Sequence, residues 1–478
     1  MRSNHATGLL GAGLVLAVAG CSGLLDVKNP NNVNESDLNN PASAAAQANG
    51  VLASLTRAWG NILTPYSIAT DELTWIGSRD AWRNLDEGQI SEPTNEFVDA
   101  AYFYVGEARW WADTTIGRLV GFKAKSVLSN DDDLARAYLY GALVYTAIGN
   151  LFDNFPIGSS GRNAAPPLGA SKMDSVYKTA INYATNGITL AQATGNEALK
   201  LDLTAARATA RYYLALWGKL NPAPASVPVA SPLVNDAGAV TDANAALALA
   251  TTLKQPNYRF ELTFSSATVN FADIGFEVNE RLEMRIGSAY VYPLCTQSGC
   301  GSGGKTIFVD SIRLRDPIDN RPDPELARFL CGSATVATCP KPKVAGGSSG
   351  FLNTTHFTPL TVLSARELRL IVAEAALAAG NTAGFQVAID SLRALDGLTA
   401  WTPASTVTAL DLLKYERQVN LFLQGRRLSD EYRFGIPADI WQPGQEALTM
   451  PGTFLPITIS ERLANSACLA DPTACGGR

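Results

Sequence analysis

Apolar residues recur at the spacing of an α-helix through most of the chain. In residues 134–152, for example, Leu134, Tyr138 and Ala142 follow one another at intervals of four and would share one helix face. The same period predicts helices over six further segments: residues 176–193, 204–220, 243–253, 363–379, 383–395 and 410–432. The pattern therefore predicts a mostly α-helical protein.

Glycine-containing or polar turns separate these helices, and Gly380-Asn381 breaks one helix pair. Paired helices with small alanines and Tyr/Leu stripes resemble degenerate tetratricopeptide units, in which each unit buries the apolar face of its neighbour. The pattern favours a tetratricopeptide-like helical-repeat scaffold, and an irregular helical bundle is the alternative.

Residues 254–360 depart from the helical pattern. They are rich in Gly, Pro, Ser and Thr, contain four of the seven cysteines and include a β-like run at 306–314. We expect a loop-rich insert with a few short strands here. It would separate an N-terminal helical-repeat region at 42–253 from a C-terminal helical region at 361–478.

The N-terminus carries the features of a bacterial lipoprotein signal. Its apolar stretch at 9–19 is shorter than the about 20 residues that span a bilayer, and it leads to Ala19-Gly20-Cys21. Small residues before a Cys resemble the site where a thiol is lipidated before cleavage. We expect a signal peptide at 1–20, a lipid on Cys21 and an Asn-rich tether at 21–41. A plain secretory signal is the alternative.

The six remaining cysteines fall into three pairs that are close in sequence. These pairs are Cys295 with Cys300, Cys331 with Cys339, and Cys468 with Cys475. An exported protein meets an oxidising compartment, so we expect each pair to form a disulfide. A four-Cys zinc site is the alternative, although the spacings differ from the C-x₂-C pairs of zinc ribbons.

Charge and histidine content exclude several classes of protein. The formal net charge is −6, the pI is about 5.2, and no run of Lys or Arg occurs, so the basic stripe of a nucleic-acid binder is missing. Of the two histidines, His5 lies in the expected signal peptide, which leaves His356. One imidazole argues against a histidine triad or a multi-His zinc site. We expect no cofactor, no metal and no catalytic residue.

Two short motifs point elsewhere and are set aside. Residues 299–306 read GCGSGGKT and match the phosphate-binding loop, but a strand-like run follows where a helix is required. Asp131, Asp132 and Asp133 suggest calcium, yet they stand at a predicted helix start, where acidic residues stabilise the helix dipole.

Four places in the chain carry motifs that match one known family. The first is Cys21 followed by Leu24-Leu25-Asp26. The second is YTAIGNLFDNFPIG at 145–158, although Asp153 and Asn154 replace the usual Gly and Asp. The third is SARELRLIVAEAA at 364–376. The fourth is a C-terminal block with these residues at the family's positions: Glu416, Arg417, Gly425, Arg427, Asp430, Arg433 and Gly435. Together these four places resemble the RagB/SusD family of nutrient-uptake lipoproteins.

The resemblance implies a SusD-like protein with a tetratricopeptide-like scaffold, anchored by lipid in the outer membrane and facing the exterior. It implies capture of a glycan or a similar oligomeric nutrient for a SusC-like, TonB-dependent transporter. No cofactor and no catalysis follow from it. We expect the charged residues of the C-terminal block to be buried structural partners rather than ligand contacts.

For the ligand site the sequence favours residues 66–83, where aromatic, acidic and guanidinium side chains occur together. The expected ligand-binding residues are Trp75, Trp82, Asp71, Glu72, Arg79, Asp80 and Arg83. Sugar rings stack on aromatic planes and their hydroxyls pair with charged groups, but both tryptophans could also share a buried helix face. By contrast, Trp110, Trp111 and Trp217 lie in periodic helices and are expected in the core.

Two other functions stay open from sequence. A lipid-anchored glycoside hydrolase would need two carboxylates a fixed distance apart, and Asp86, Glu87 and Glu92 add to the candidates near residues 71–80. A non-catalytic helical-repeat scaffold would bind a protein instead. Product formation from a glycan identifies the first, and capture of a protein without glycan binding identifies the second.

Overall fold

The computed structural model of the chain describes residues 35–158, 165–224, 227–269, 273–281, 283–291, 312–331 and 356–476. Cys21, Cys295, Cys300, Cys339 and the motif at 299–306 lie outside these residues, and so does the side chain of Cys331. The expected lipidation and two of the expected disulfides therefore stay predictions.

Long α-helices dominate the described residues. In chain order the helices are α1 (Glu35–Leu38), α2 (Ala44–Ile68), α3 (Asp80–Asp86), α4 (Glu96–Ala124), α5 (Asp131–Leu151), α6 (Asp174–Thr194), α7 (Glu197–Leu220), α8 (Ala237–Thr252), α9 (Ile274–Phe276), α10 (Pro324–Cys331), α11 (Ala365–Ala378), α12 (Thr382–Arg393), α13 (Ala409–Asn420), α14 (Arg427–Phe434), α15 (Glu446–Thr449), α16 (Ile459–Ala464) and α17 (Ser466–Ala470). Four short 3₁₀ turns, Pro41–Ser43, Ala170–Lys172, Ala394–Asp396 and Pro472–Cys475, stand beside them.

Side-chain caps fix where these helices begin. The Asn95 side chain accepts hydrogen bonds from the backbone N–H groups of Phe97 and Val98, and Asn130 caps α5 in the same way. At α11, Ser364 accepts from the N–H of Glu367, as the S-x-x-E pattern predicts. Helix ends use glycine in the left-handed conformation, as Gly195 does after α6.

Helices that are consecutive in sequence pack against each other. Helix α4 packs on α5, α5 on α6, α6 on α7 and α7 on α8, while α11 joins α8, α12 and α13. Helix α2 lies against both α4 and α5. The mostly α-helical, tetratricopeptide-like scaffold that the apolar period predicts is confirmed. The boundaries of the three regions stay a prediction.

Short antiparallel strand pairs join distant parts of the chain. Strand β1 (Leu73–Trp75) pairs with β3 (Met284–Ile286), and β2 (Arg259–Leu262) pairs with β4 (Leu360–Ser364). Of the strand expected at 306–314, the described part forms one bridge between Ile312 and Val291. Within the described residues, no helix combines the length and the apolar character needed to cross a bilayer.

The long helix expected at 410–432 is wrong. The chain forms α13 and α14 instead, and both Leu423 and Gly425 between them have left-handed backbone angles, with φ of 53° and 69°. A buried polar contact stabilises this break, because the N–H of Leu423 donates to the carboxyl group of Glu72 at 2.7 Å.

The charged residues of the C-terminal block are buried structural partners, as expected. Arg417 donates to Asp430 at 2.8 Å, and Arg433 bonds both Asp430 and Glu374. All four side chains are almost completely buried. These pairs connect α11, α13 and α14, so the family-like motifs of the C-terminal part serve the fold.

Candidate functional site

A groove of about 660 Å³ lies along the exposed face of α4. Its lining contains five aromatic rings from α4 and from the turn after α5: Tyr102, Phe103, Trp110, Trp111 and Phe155. The remaining lining residues are Gly106, Glu107, Arg109, Pro156, Gly158, Ala165, Glu461, Ala464 and Asn465. A concave site with aromatic walls and a few polar groups is typical of ligand binding.

Helix α4 presents its aromatic residues because its other face is occupied by the core. Val98, Val105 and Ala112 are buried against neighbouring helices. Phe103 lies on the opposite side and is 67% exposed, although it is a large apolar residue. The adjacent rings of Trp110 and Trp111 are partly buried and meet edge to face, with centroids 5.0 Å apart.

The opposite wall of the groove comes from α16 at the C-terminal end of the chain. The Ser460 hydroxyl donates to Asp99 on α4 at 2.6 Å, and the backbone N–H of Ile459 donates to the carbonyl of Pro93. Asn465 donates to the carbonyl of Ala165 at 2.8 Å. Residues far apart in sequence therefore build the two walls.

A disulfide closes the segment that follows α16. Cys468 and Cys475 are bonded, which confirms the third expected pair. The segment it closes packs on the turn after α5, because the Asn154 side chain donates to the carbonyls of Ala474 and Gly476. The disulfide thus lies next to the segment that forms one wall of the groove.

Under the groove, Arg109 and Asp113 form an ion pair with an N–O distance of 2.9 Å. Asp113 also accepts hydrogen bonds from the hydroxyls of Tyr145 and Tyr183, at 2.9 and 2.8 Å. Burial raises the pKa of Asp113, while the hydrogen bond from Tyr183 and the charge of Arg109 oppose this effect. The carboxylate is thus held between three donors.

Tyr102 differs from its neighbours because its buried hydroxyl makes no hydrogen bond within the described part of the chain. The residue lines the groove and is 4% exposed. Burial raises the pKa of Tyr102 well above its usual value, and nearby Glu461 raises it further. The hydroxyl is therefore a neutral donor at neutral pH.

The structure separates the expected ligand residues of the 66–83 segment into two groups. Asp71 and Glu72 are buried: Asp71 forms a two-bond ion pair with Arg427 at 2.7 and 2.6 Å, and Glu72 accepts from Ser67 and Leu423. Their carboxylates bind other parts of the protein, so a ligand on the surface does not reach them. Burial raises the pKa of Glu72 to about 8.

Trp82 also belongs to the core, where it stacks on Phe97 with centroids 3.6 Å apart. The remaining four residues reach the surface. Arg83 lies over the ring of Trp75 and pairs with exposed Asp80 at 3.3 Å, and Arg79 lies over Phe97. The binding role of Trp75, Arg79, Asp80 and Arg83 stays a prediction.

The expectation that Trp110 and Trp111 are core residues is wrong, because both line the groove. The sequence contained a signal that identifies them. Phe103, Glu107 and Trp111 follow one another at intervals of four, and Trp110 lies seven residues after Phe103. On α4, this alignment with a charged residue marks the exposed face of the helix.

The acidic triplet at 131–133 forms the first turn of α5, as predicted. Each carboxylate has a partner in the protein: Asp131 pairs with Lys123, Asp132 accepts from Thr194 and Asn196, and Asp133 pairs with Arg136. The described residues contain no cluster of His, Cys, Asp and Glu arranged to hold a metal ion.

Comparison of the whole chain with solved structures identifies its fold. A SusD superfamily protein from Bacteroides fragilis has a TM-score of 0.57 and 14% identity, over 89% of this chain and 98% of that one. A SusD homolog from Bacteroides thetaiotaomicron has a TM-score of 0.57 and 15% identity, over 91% and 98%. A Bacteroides vulgatus protein assigned provisionally to sugar binding has a TM-score of 0.57 and 14% identity, over 89% of this chain and 97% of that one.

At these identities the similarity establishes the fold, and the resemblance to the RagB/SusD family is confirmed at that level. No protein-family model matches the chain, and no curated protein matches it in sequence.

Proposed function

We propose that this chain, which has the SusD fold, binds a nutrient glycan in the groove along α4 and does not catalyse a reaction. The observation that carries the proposal is the groove itself, where Trp110 and Trp111 stand partly exposed beside Phe103. Aromatic planes stack on the apolar faces of sugar rings. Exposed clusters of aromatic residues mark binding surfaces, since large apolar side chains are otherwise buried.

Export and partnership belong to the same proposal. The lipoprotein-like signal ending at Cys21 supports a lipid anchor at the outer membrane, with the protein facing the exterior. The SusD fold supports transfer of the bound glycan to a TonB-dependent transporter. The sugar-binding assignment of one structural neighbour agrees with a glycan as ligand.

A glycoside hydrolase is the second candidate, because Glu107 and Glu461 both line the groove. Each carboxylate already serves a neighbouring group. Glu107 pairs with Arg57 at 3.4 Å, and Glu461 accepts a hydrogen bond from Asn465 at 2.8 Å. These contacts favour a structural role for the pair. Incubation of the protein with a glycan panel, followed by chromatography of the products, tests hydrolysis directly.

The binding test is titration calorimetry with soluble oligosaccharides of the same panel. We expect Trp110→Ala and Trp111→Ala each to weaken binding by about tenfold or more, because each removes a stacking ring and hot-spot tryptophans cost at least about 1–2 kcal/mol. Trp217→Ala is the matched control, since this tryptophan is also partly buried but belongs to α7 and packs against the core, away from the groove.

Trp75→Ala distinguishes the two candidate surfaces. If affinity falls in Trp75→Ala and is unchanged in both groove variants, the ligand binds at the 66–83 segment and the groove assignment is wrong. If no member of the panel binds to the wild-type protein and a protein partner is captured instead, the scaffold function replaces the proposal.

A further inference from the structure

Two of the three charged residues that line the groove are paired with opposite charges within the protein. Of the described lining residues, Glu107, Arg109 and Glu461 carry charge. Glu107 pairs with Arg57, which also lies over the ring of Tyr104. Arg109 pairs with Asp113, and Glu461 accepts from Asn465. A ligand entering this groove meets aromatic rings, two neutralised ion pairs and the carboxylate of Glu461, which accepts from a neutral amide.

Arg109 is the cationic group among the described lining residues, and its charge is already balanced. One nitrogen, Nη1, donates both to Asp113 at 2.9 Å and to the carbonyl of Gly158 at 3.3 Å. Its side chain and that of Asp113 are only 11% and 13% exposed. A carboxylate or sulfate on a ligand would lose its hydration here and would have to compete with Asp113 for the guanidinium.

The polar groups that are still available suit a hydroxyl-bearing ligand. The Tyr102 hydroxyl is buried at the groove and has no hydrogen-bond partner in the described residues. The Nε of Arg109 is also buried and also has no hydrogen-bond partner there. Buried polar groups of this kind normally have partners. A sugar hydroxyl accepts a hydrogen bond from either group and adds no charge.

We infer that the groove selects uncharged oligosaccharides and disfavours acidic ones, and that Asp113 sets this preference by neutralising Arg109. The inference rests on the proposed function, since it names the class of glycan that the same site takes. The carboxylate of Glu461, which forms no ion pair with a described residue, adds to the effect, because like charges across an interface are repulsive.

Matched ligands test the inference. Maltoheptaose, cellohexaose and mannohexaose are each compared with the same chain after oxidation of its C6 primary alcohols to carboxylates. The pairs differ in charge while the sugar faces stay alike. We expect the wild-type protein to bind the neutral member of its cognate pair at least about tenfold more tightly. Equal or tighter binding of the oxidised member overturns the inference.

The wild-type protein could bind the oxidised member as tightly as the neutral one. If Trp110→Ala then loses that binding, the groove still binds a glycan, so the proposed function stands while the charge preference fails. If neither member of any pair binds, the proposed function fails and this inference fails with it.

Asp113→Asn tests the role given to Asp113. It keeps the side-chain volume and removes the charge that balances Arg109, so the ratio of neutral to acidic affinity should narrow by about tenfold. Glu107→Gln is the second variant, for the case that Asp113→Asn fails to fold, and it should narrow the ratio in the same direction. Glu197→Gln changes the net charge equally, on α7 beside Lys200 and away from the groove. If the ratio of neutral to acidic affinity in both groove variants equals the ratio in Glu197→Gln, the role assigned to Asp113 is wrong.

Discussion

Asp71 and Arg427 form a buried ion pair between segments that are 356 residues apart in sequence. Both guanidinium bonds are short, at 2.7 and 2.6 Å, and the two side chains are 8% and 6% exposed. We expect Asp71→Ala to lower the free energy of unfolding by about 3–5 kcal/mol, because the remaining cation is buried without its partner. Urea unfolding followed by circular dichroism measures the change.

Asp80→Ala is the matched control for Asp71→Ala. Asp80 belongs to the same segment, but its pair with Arg83 is exposed, with the Asp80 side chain 73% accessible. Surface pairs contribute about 0–1 kcal/mol, so the control should stay near the wild type. If both variants lose the same unfolding free energy, the buried Asp71–Arg427 pair stabilises the fold no more than an exposed pair does.

The raised pKa of Glu72 predicts that the stability of the fold depends on pH. Burial raises its pKa from 4.5 to about 8 in the folded protein, and the hydrogen bonds from Leu423 and Ser67 only partly oppose this. Between these values the folded state keeps a proton that the unfolded state releases. The stabilisation is therefore complete below pH 4.5 and is lost as the pH rises through 8.

Glu72→Gln removes this titration while it keeps an acceptor for Leu423. Unfolding free energies of both proteins, measured from pH 5 to pH 8, should give a flatter profile for the variant. Between pH 5 and pH 8 we expect the unfolding free energy of the wild type to fall by at least about 1.4 kcal/mol more than that of the variant, which is the equivalent of one pKa unit. Parallel profiles would show that Glu72 does not titrate in this range.

At the scale of elements, the break between α13 and α14 depends on Gly425. Its φ of 69° is left-handed, and an added Cβ would lie 3.2 Å from the Trp59 ring and 3.3 Å from Leu151. We expect Gly425→Ala to cost about 2–4 kcal/mol in unfolding free energy, from the backbone conformation and the crowding together. Thermal and urea unfolding measure it.

Gly397→Ala separates the two contributions to that cost. Gly397 has a similar φ of 61°, but no atom of the described residues would lie within 4 Å of a Cβ added there. Gly397→Ala should lower the unfolding free energy only by the cost of the left-handed backbone conformation, about 1–2 kcal/mol. If both variants lose the same stability, packing against Trp59 does not contribute.

The elements that the sequence predicts are those with a clear apolar stripe. Segments 134–152 and 176–193 coincide closely with α5 and α6, and segment 204–220 covers α7 except for its first two turns. The break after Asn420 escapes prediction because it depends on a contact with Glu72, which lies near the other end of the chain. Helical period reports burial on one face and carries no information about such distant partners.

The groove is harder to predict for the same reason. Its aromatic wall belongs to α4, whereas its opposite wall is α16, and their contact through Asp99 and Ser460 joins residues 361 positions apart. Burial also changes the meaning of residue types. Asp71 and Trp82 have the chemistry of a sugar site and are buried, while Trp111 has the chemistry of a core residue and is partly exposed.

At the scale of the whole molecule, segments from the N-terminal third and from the C-terminal end of the described chain meet at the groove. Helix α4 supplies one wall, α16 with Asn465 supplies the other, and the disulfide-closed segment follows directly after that second wall. The proposed binding therefore depends on the fold of distant parts of the chain, whereas the proposed lipid anchoring depends on Cys21. The two properties are separable by experiment.

Cys21→Ser should release the protein into the soluble fraction without changing its folded structure or its affinity for a groove ligand. In the proposed anchor the Cys21 thiol accepts the lipid, and each buried CH₂ of an acyl chain contributes about 0.8 kcal/mol to membrane affinity, so loss of the thiol would remove the anchor. Metabolic labelling with an alkyne fatty acid, combined with membrane fractionation, measures the effect, and Ser22→Ala is the control that leaves Cys21 in place. A wild-type protein without acyl label, or a Cys21→Ser variant that stays in the membrane fraction, would contradict the lipoprotein assignment.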